Sequence, residues 1–184
     1  MTRLKSLVIL ALAAIFTPLF SAPFLFTPLF STPIVAQENA ATLTPAEQFE
    51  LIRSWEGRWK VAETSALEIV FESAARGSSM IERWETQSGL HSITVYHMDG
   101  DVLLATHYCP QGNQPRLEAH LGESGEIRFE FRDVTDLGDG ESHTHDLWFT
   151  PGPDGTIRRS EIYLGDEGLQ EPGHYTLSRV ATGD

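Results

Sequence analysis

The chain has 184 residues, of which 41% are hydrophobic, and a formal net charge of −13 at pH 7. That length and apolar content suffice for one domain with a buried core. An acidic surface repels phosphate backbones and anionic lipids, which argues against nucleic acid and anionic membranes as partners. With a single cysteine, the chain forms no internal disulfide and depends on packing alone.

Residues 1–36 have the layout of a secretory signal peptide, since Arg3 and Lys5 precede a long apolar run that ends at the small residue Ala36. Removing them takes away two basic residues and no acidic ones, so the mature chain carries a charge of about −15. We therefore expect a periplasmic or secreted protein with no stable membrane insertion after signal cleavage. The alternative is an uncleaved anchor, because the apolar stretch 7–36 is long enough to span a bilayer. Its four prolines argue against a straight spanning helix.

Residues 37–43 form a short polar lead, and the folded domain is predicted over 44–182. A short helix is predicted to begin at Thr44, which is an N-cap residue followed by Pro45 at the first helical position. Glu47 completes a capping box with Thr44.

From Trp59 onward, short alternating runs are separated by Gly, Asp, Asn and Pro, which is typical of an antiparallel all-β domain. A closed up-and-down β-barrel of 8–10 strands is favoured, because closure removes the exposed edges of so many strands. Strands are predicted near 59–64, 67–73, 79–86, 91–98, 101–109, 115–121, 126–133, 143–150, 156–164 and 173–180.

Alternation along the strands predicts which side chains face the barrel interior. Phe129 and Phe131 share the apolar phase of their strand, and Trp84 lies in phase with Glu82. Several polar residues also share a phase with apolar neighbours and are expected to line a cavity near one end of the barrel: Glu82, His107, Cys109, His143 and His145.

The segment "THYCPQGNQPRLEAH", from Thr106 to His120, is predicted to form two strands joined by a tight turn. The turn carries Asn113 to the rim of the cavity, and Arg116 is expected to approach His107 across the base of the hairpin. An arginine there favours a carboxylate or phosphate head group. The alternative is structural, with Arg116 paired with a surface acid and Asn113 shaping the turn.

Two features of the strands resemble a known superfamily. The sequence "WEGRW" places Gly57 two residues before Trp59, and the last predicted strand carries Arg179. This resembles the calycin arrangement of lipocalins and fatty-acid-binding proteins, in which a basic residue of the final strand covers the tryptophan of the first. It implies that Trp59 is buried at one barrel end with the Arg179 guanidinium over its ring.

The stretch "VYHMDGDVLLATHYCPQGNQPRL", from Val95 to Leu117, is similar to the signature of a bacterial lipocalin-like family of uncharacterised function. The resemblance covers residues 55–180. It implies a barrel with a pocket, and it implies no particular reaction.

The expected function is therefore that of an exported protein that holds an apolar or amphiphilic small molecule in a barrel cavity with a polar His/Arg/Asn end. The alternative is a metal- or haem-dependent enzyme that uses His107, His143 and His145, because three imidazoles on one inner wall would suit a metal ion and a single one would suit haem iron. The sequence leaves the cofactor and any reaction unknown.

Cysteine catalysis is a weaker alternative. No nucleophile elbow surrounds Cys109. A small buried thiol that fills a gap is expected instead, so Cys109 should react slowly with a bulky thiol reagent in the folded protein.

Overall fold

The computed structural model describes residues 42–121 and 125–181. The predicted signal peptide, most of the polar lead and residue 182 lie outside the described residues. Within the described part of the chain, no helix is long and apolar enough to span a membrane.

One α-helix, α1 (Pro45–Arg53), precedes eleven strands among the described residues, and a 3-10 turn spans Ala75–Gly77. The strands are β1 Gly57–Val61, β2 Thr64–Ala74, β3 Ser79–Thr86, β4 Gly89–Asp99, β5 Val102–Tyr108, β6 Gln114–Leu121, β7 Ile127–Thr135, β8 His143–Pro151, β9 Ile157–Gly165, β10 Gly168–Leu169 and β11 Gly173–Arg179.

Helix α1 begins as its sequence predicts. The hydroxyl of Thr44 accepts a hydrogen bond from the backbone N–H of Glu47 at 3.3 Å. The Glu47 carboxylate in turn accepts one from the backbone N–H of Thr44 at 2.8 Å, which completes the capping box. Phe49 and Ile52 are buried, so the apolar face of the helix packs on the barrel core.

Ten of the strands close into an antiparallel barrel. Strands β1 to β9 each pair with the next, and β11 pairs with both β9 and β1. The short strand β10 pairs with the end of β9. The predicted all-β barrel and its ten predicted strands are confirmed, with ends that differ by a few residues. Strand β10 was not predicted, because two residues are too few to show an alternating pattern.

The closing contact between the first and last strands is confirmed. Trp59 is 2% exposed, and the Arg179 guanidinium carbon lies 4.6 Å from the centre of its ring. Arg179 also donates to the backbone carbonyl of Ser54 at 2.9 Å. Gly57 has a φ of +128°, and a Cβ there would lie 3.0 Å from an Arg179 nitrogen. The glycine of the "Gly-x-Trp" pattern thus leaves room for the arginine that covers the tryptophan.

Aromatic side chains pack below this contact, against the end of α1. The ring of Trp55 lies 4.9 Å from that of Phe149 and 5.7 Å from that of Phe71. Tyr96 extends the packing to Phe129, with ring centres 5.5 Å apart. Each of these five residues is at most 6% exposed, so side chains fill the interior at the helix end. We call this end the closed end, and the opposite end the open end.

Candidate functional site

A buried carboxylate organises the interior toward the open end. Glu82 of β3 is fully buried and accepts hydrogen bonds from three side chains. The donors are the hydroxyl of Tyr96, the indole N–H of Trp84 and the Nε of Arg159, the last at 2.6 Å. Three donors on one buried carboxylate replace the water that it loses on folding.

Arg159 of β9 joins Glu82 to a second acid. It is 1% exposed, and its Nη1 donates to the Oε2 of Glu161 at 2.8 Å. Its guanidinium carbon also lies 4.5 Å from the centre of the Trp84 ring. Burial alone would lower the pKa of Arg159, but the charges of Glu161 and Glu82 raise it above its ordinary value, so the guanidinium stays charged. We call Glu82, Trp84, Tyr96, Arg159 and Glu161 the buried polar cluster.

The buried polar cluster raises the pKa of its tyrosine and carries an unbalanced charge. Burial, followed by the negative charge of Glu82, raises the pKa of Tyr96 well above its ordinary value, so Tyr96 remains a neutral donor. Two carboxylates and one guanidinium then leave the cluster with a formal charge of −1.

His107 lies beside this cluster with one ring nitrogen unpaired. The residue is 4% exposed, and its Nδ1 lies 2.9 Å from the Thr94 hydroxyl oxygen. Its Nε2 is buried without a hydrogen-bond partner among the described residues. Burial, followed by the nearby charge of Arg159, lowers the pKa of His107 to about 3. The imidazole is therefore neutral at physiological pH.

A small cavity of about 30 Å³ lies beside His107. Its lining residues are Trp84, His91, Ser92, His107, Pro110, Glu161 and Tyr163. The volume is enough for one water-sized group. Burial, followed by the charge of Glu161, raises the pKa of Tyr163 to about 12, so its hydroxyl is neutral.

A wider cleft of about 270 Å³ shares two walls with this cavity, Trp84 and His91. Its other lining residues are Ala66, Leu67, Thr86 and Tyr175. The ring of Tyr175 packs edge-on against that of Trp84, with centres 4.9 Å apart. A largely apolar cleft thus adjoins a small polar cavity at the open end.

Three residues predicted from the sequence, Glu82, Trp84 and His107, meet at this site. Several others that contribute to it were missed, and the two charged ones are Arg159 and Glu161. They belong to β9, "IRRSEIYLG", where both lie in phase with the buried Ile157. That alternation was the sequence signal that both side chains face the interior. It was not sufficient, because a buried arginine and a buried glutamate require partners that only the closed barrel supplies.

Arg116 lies on the outer face of the barrel. Its side chain is 44% exposed, its register partner is Thr106, and its Nε and Nη2 each donate to the Asp133 carboxylate at 2.6 Å. This corrects the expectation that Arg116 gives the cavity an anion-binding group. The surface ion pair considered as the alternative is what the structure contains.

Asn113 is fully buried but tied to the loop that precedes β8. Its Nδ2 donates to the Glu141 carboxylate at 3.0 Å and to the Ser142 carbonyl at 3.2 Å. Its backbone carbonyl accepts from the N–H of Cys109 at 3.1 Å. The cysteine is half-buried and unpaired by disulfide. Asn113 thus holds two loops together, and the reactivity of Cys109 stays a prediction.

His143 and His145 pack on the ring of Phe131, with ring centres 4.6 and 5.5 Å from it. An irregularity in the pairing of β8 with β9, between Thr144 and Asp146, shifts the alternation there. Thr144 is consequently 1% exposed although it lies between the two histidines.

The expectation that His107, His143 and His145 form one metal-binding cluster is therefore corrected. Among the described residues, no group of three or more His, Cys, Asp or Glu side chains is placed to hold a metal ion. Phe129, which was expected in the wall of the pocket, is fully buried and belongs to the hydrophobic core.

The sequence matches no protein-family model and no curated protein. Function is therefore inferred from the chemistry of the site.

Proposed function

We propose that this chain is an exported, lipocalin-like β-barrel protein that binds one small apolar or amphiphilic molecule at the open end of the barrel. The ligand's apolar part occupies the cleft beside Trp84 and Tyr175. Its polar group enters the small cavity and meets His107.

The observation that carries this proposal is the buried, unpaired Nε2 of His107, a residue that lines that cavity. A buried polar atom without a partner costs about 1–3 kcal/mol. A neutral imidazole nitrogen next to a water-sized space recovers that loss when a ligand's polar group bonds to it. The adjacent apolar cleft supplies the contact area that most small-molecule sites use.

The test is a fluorescence titration with N-phenyl-1-naphthylamine, a neutral apolar probe. We expect saturable binding of one probe per chain by the unmodified protein. Leu67→Lys places a long charged side chain in the cleft and should abolish this binding. Leu137→Lys is the matched control, because Leu137 is an exposed apolar residue that does not line the cleft.

Equal binding by the Leu67→Lys and Leu137→Lys variants would contradict the proposal, since the probe would then occupy some other surface. A circular dichroism melt of both variants shows whether each is folded at the assay temperature.

Export is the second part of the proposal, and it is supported by the basic start, the apolar run and the small residue of 1–36. We expect the protein isolated from its own cell envelope or medium to begin at Gln37. An intact-mass measurement that shows the full-length chain, recovered with the membrane fraction, would favour the anchor instead.

A further inference from the structure

We propose, on the basis of the ligand site proposed above, that the ligand carries a protonated primary amine. Its ammonium group occupies the small cavity between Glu161 and His107, and its hydrocarbon part lies in the cleft along Trp84 and Tyr175.

The charge of the buried polar cluster favours a cation. Arg159 is shared between Glu82 and Glu161, and one positive charge does not balance two carboxylates. Glu161 borders the cavity, is 5% exposed, and bonds to Arg159 through Oε2. Its other oxygen, Oε1, is not part of that ion pair. A positive ligand group beside that oxygen restores neutrality in a poorly hydrated site.

The hydrogen-bonding groups of the cavity also suit an ammonium group, which has three donors and no acceptor. Glu161 Oε1 accepts one bond. His107 Nε2 accepts a second in the tautomer in which Nδ1–H donates to the Thr94 hydroxyl. The hydroxyls of Ser92 and Tyr163 border the same cavity, and either oxygen can accept the third.

The size of the cavity favours a primary amine over a bulkier cation. The cavity of about 30 Å³ accepts a group the size of a water molecule, which an ammonium group matches more closely than a trimethylammonium group does. The rings of Trp84 and Tyr175 border the neighbouring cleft, where apolar contacts stabilise the hydrocarbon part of an alkylammonium ligand. A carboxylate or phosphate ligand, in contrast, would meet the negative charge of Glu161.

The test compares three ligands with the same hydrocarbon tail: hexylammonium, 1-hexanol and hexanoate. Isothermal titration calorimetry at pH 7 and about 0.15 M salt limits attraction by the acidic surface as a whole. We expect the unmodified protein to bind hexylammonium about ten- to hundredfold more tightly than 1-hexanol. Hexanoate should bind more weakly than either.

Glu161→Gln keeps an acceptor for Arg159 and removes the charge at the cavity. It should reduce hexylammonium affinity to about that of 1-hexanol and change 1-hexanol affinity much less. Glu130→Gln is the matched control, since it changes the net charge equally on an exposed position of β7. It should leave all three affinities unchanged.

If 1-hexanol or hexanoate binds as tightly as hexylammonium, the amine assignment is wrong while the proposed ligand site stands. Equal loss of hexylammonium binding in Glu161→Gln and Glu130→Gln would also overturn the assignment, because it would mean attraction by overall charge. If none of the three ligands binds, the assignment fails, and the N-phenyl-1-naphthylamine titration decides separately whether the open end is a ligand site.

Discussion

The two ends of the barrel are built from opposite chemistries. At the closed end, Trp55, Phe71 and Phe149 bury large apolar surfaces in edge-on and tilted contacts, and each ring buried there stabilises the fold. At the open end, the interior instead holds Arg159 between Glu82 and Glu161. Burying these charges carries a desolvation cost that ion pairing offsets in part.

This difference suggests how stability and function are divided. Replacing a buried ion network with well-packed apolar residues is often neutral or stabilising, so a network in this position is poorly explained by stability alone. The unpaired His107 Nε2 and the neighbouring cavity lie at that same end. The closed end is therefore packed as an apolar core, while the open end carries the polar groups on which the proposed ligand site depends.

The largest expected effect is at the centre of the buried polar cluster. Arg159→Met leaves Glu82 and Glu161 without their shared partner, and breaking a buried pair in this way should lower the free energy of unfolding by roughly 3–5 kcal/mol. Urea unfolding at pH 7 measures the change. The control is Arg116→Met, which removes an exposed pair with Asp133 and should leave the unfolding midpoint nearly unchanged. Equal, small losses in both variants would mean that the cluster is not buried.

The next effect concerns the pH dependence of stability. Since the pKa of His107 is about 3 in the folded protein and ordinarily about 6.5, the unfolded chain binds one more proton between these values. The contribution of His107 to stability is therefore complete above pH 6.5 and falls as the pH is lowered toward 3, by about 1.4 kcal/mol per pH unit.

Measured by urea unfolding, the unmodified protein should lose roughly 2 kcal/mol more than His107→Gln between pH 6.5 and pH 5. His120→Gln is the control, because His120 is half-exposed. This variant should keep the pH dependence of the unmodified protein. If His107→Gln showed the same pH dependence as the unmodified protein, His107 would titrate normally and be hydrated.

A smaller effect is expected at the closed end. Arg179→Met removes the cation–π contact with Trp59 and the hydrogen bond to Ser54, and should lower the unfolding free energy by roughly 1–2 kcal/mol. Arg58→Met is the control, since Arg58 lies next to Trp59 on β1 but forms exposed pairs with Glu68 and Glu85. A loss for Arg58→Met as large as that for Arg179→Met would contradict the closing role of Arg179.

The smallest effect is at the start of α1. Thr44→Ala removes one capping bond and should lower the unfolding free energy by about 1 kcal/mol. Thr42→Ala, two residues earlier at an exposed position, should have no effect. Identical midpoints for the two variants in thermal unfolding would show that α1 adds little to the stability of the barrel.

The sequence predicts the closed end better than the open end, because the closed end follows local rules. Capping at Thr44 depends on neighbouring residues, and the nearly complete burial of Ile69, Phe71 and Leu147 agrees with the phase of the apolar residues in their strands. The contact of Trp59 with Arg179 was predicted from the calycin resemblance, which links the first strand to the last.

The open end depends on long-range pairing that alternation does not encode. Arg159 is 77 residues from Glu82 in the sequence, and only barrel closure brings them together. The irregularity beside Thr144 changes the phase of β8 and separates His143 and His145 from the predicted cluster. Arg116 was misplaced for a similar reason, since its orientation depends on pairing with Thr106 and on a nearby shift in the pairing of β6 with β7.

The most direct test of the account is a chemical-shift map of the ¹⁵N-labelled protein, titrated separately with 1-hexanol and with hexylammonium. If the open end is the ligand site, the largest shifts with both ligands should fall on His91, Ser92 and the His107 ring. The closed end, around Trp55 and Leu103, should stay unchanged. Shifts centred on the closed end, or spread over the acidic exterior without saturation, would contradict the account.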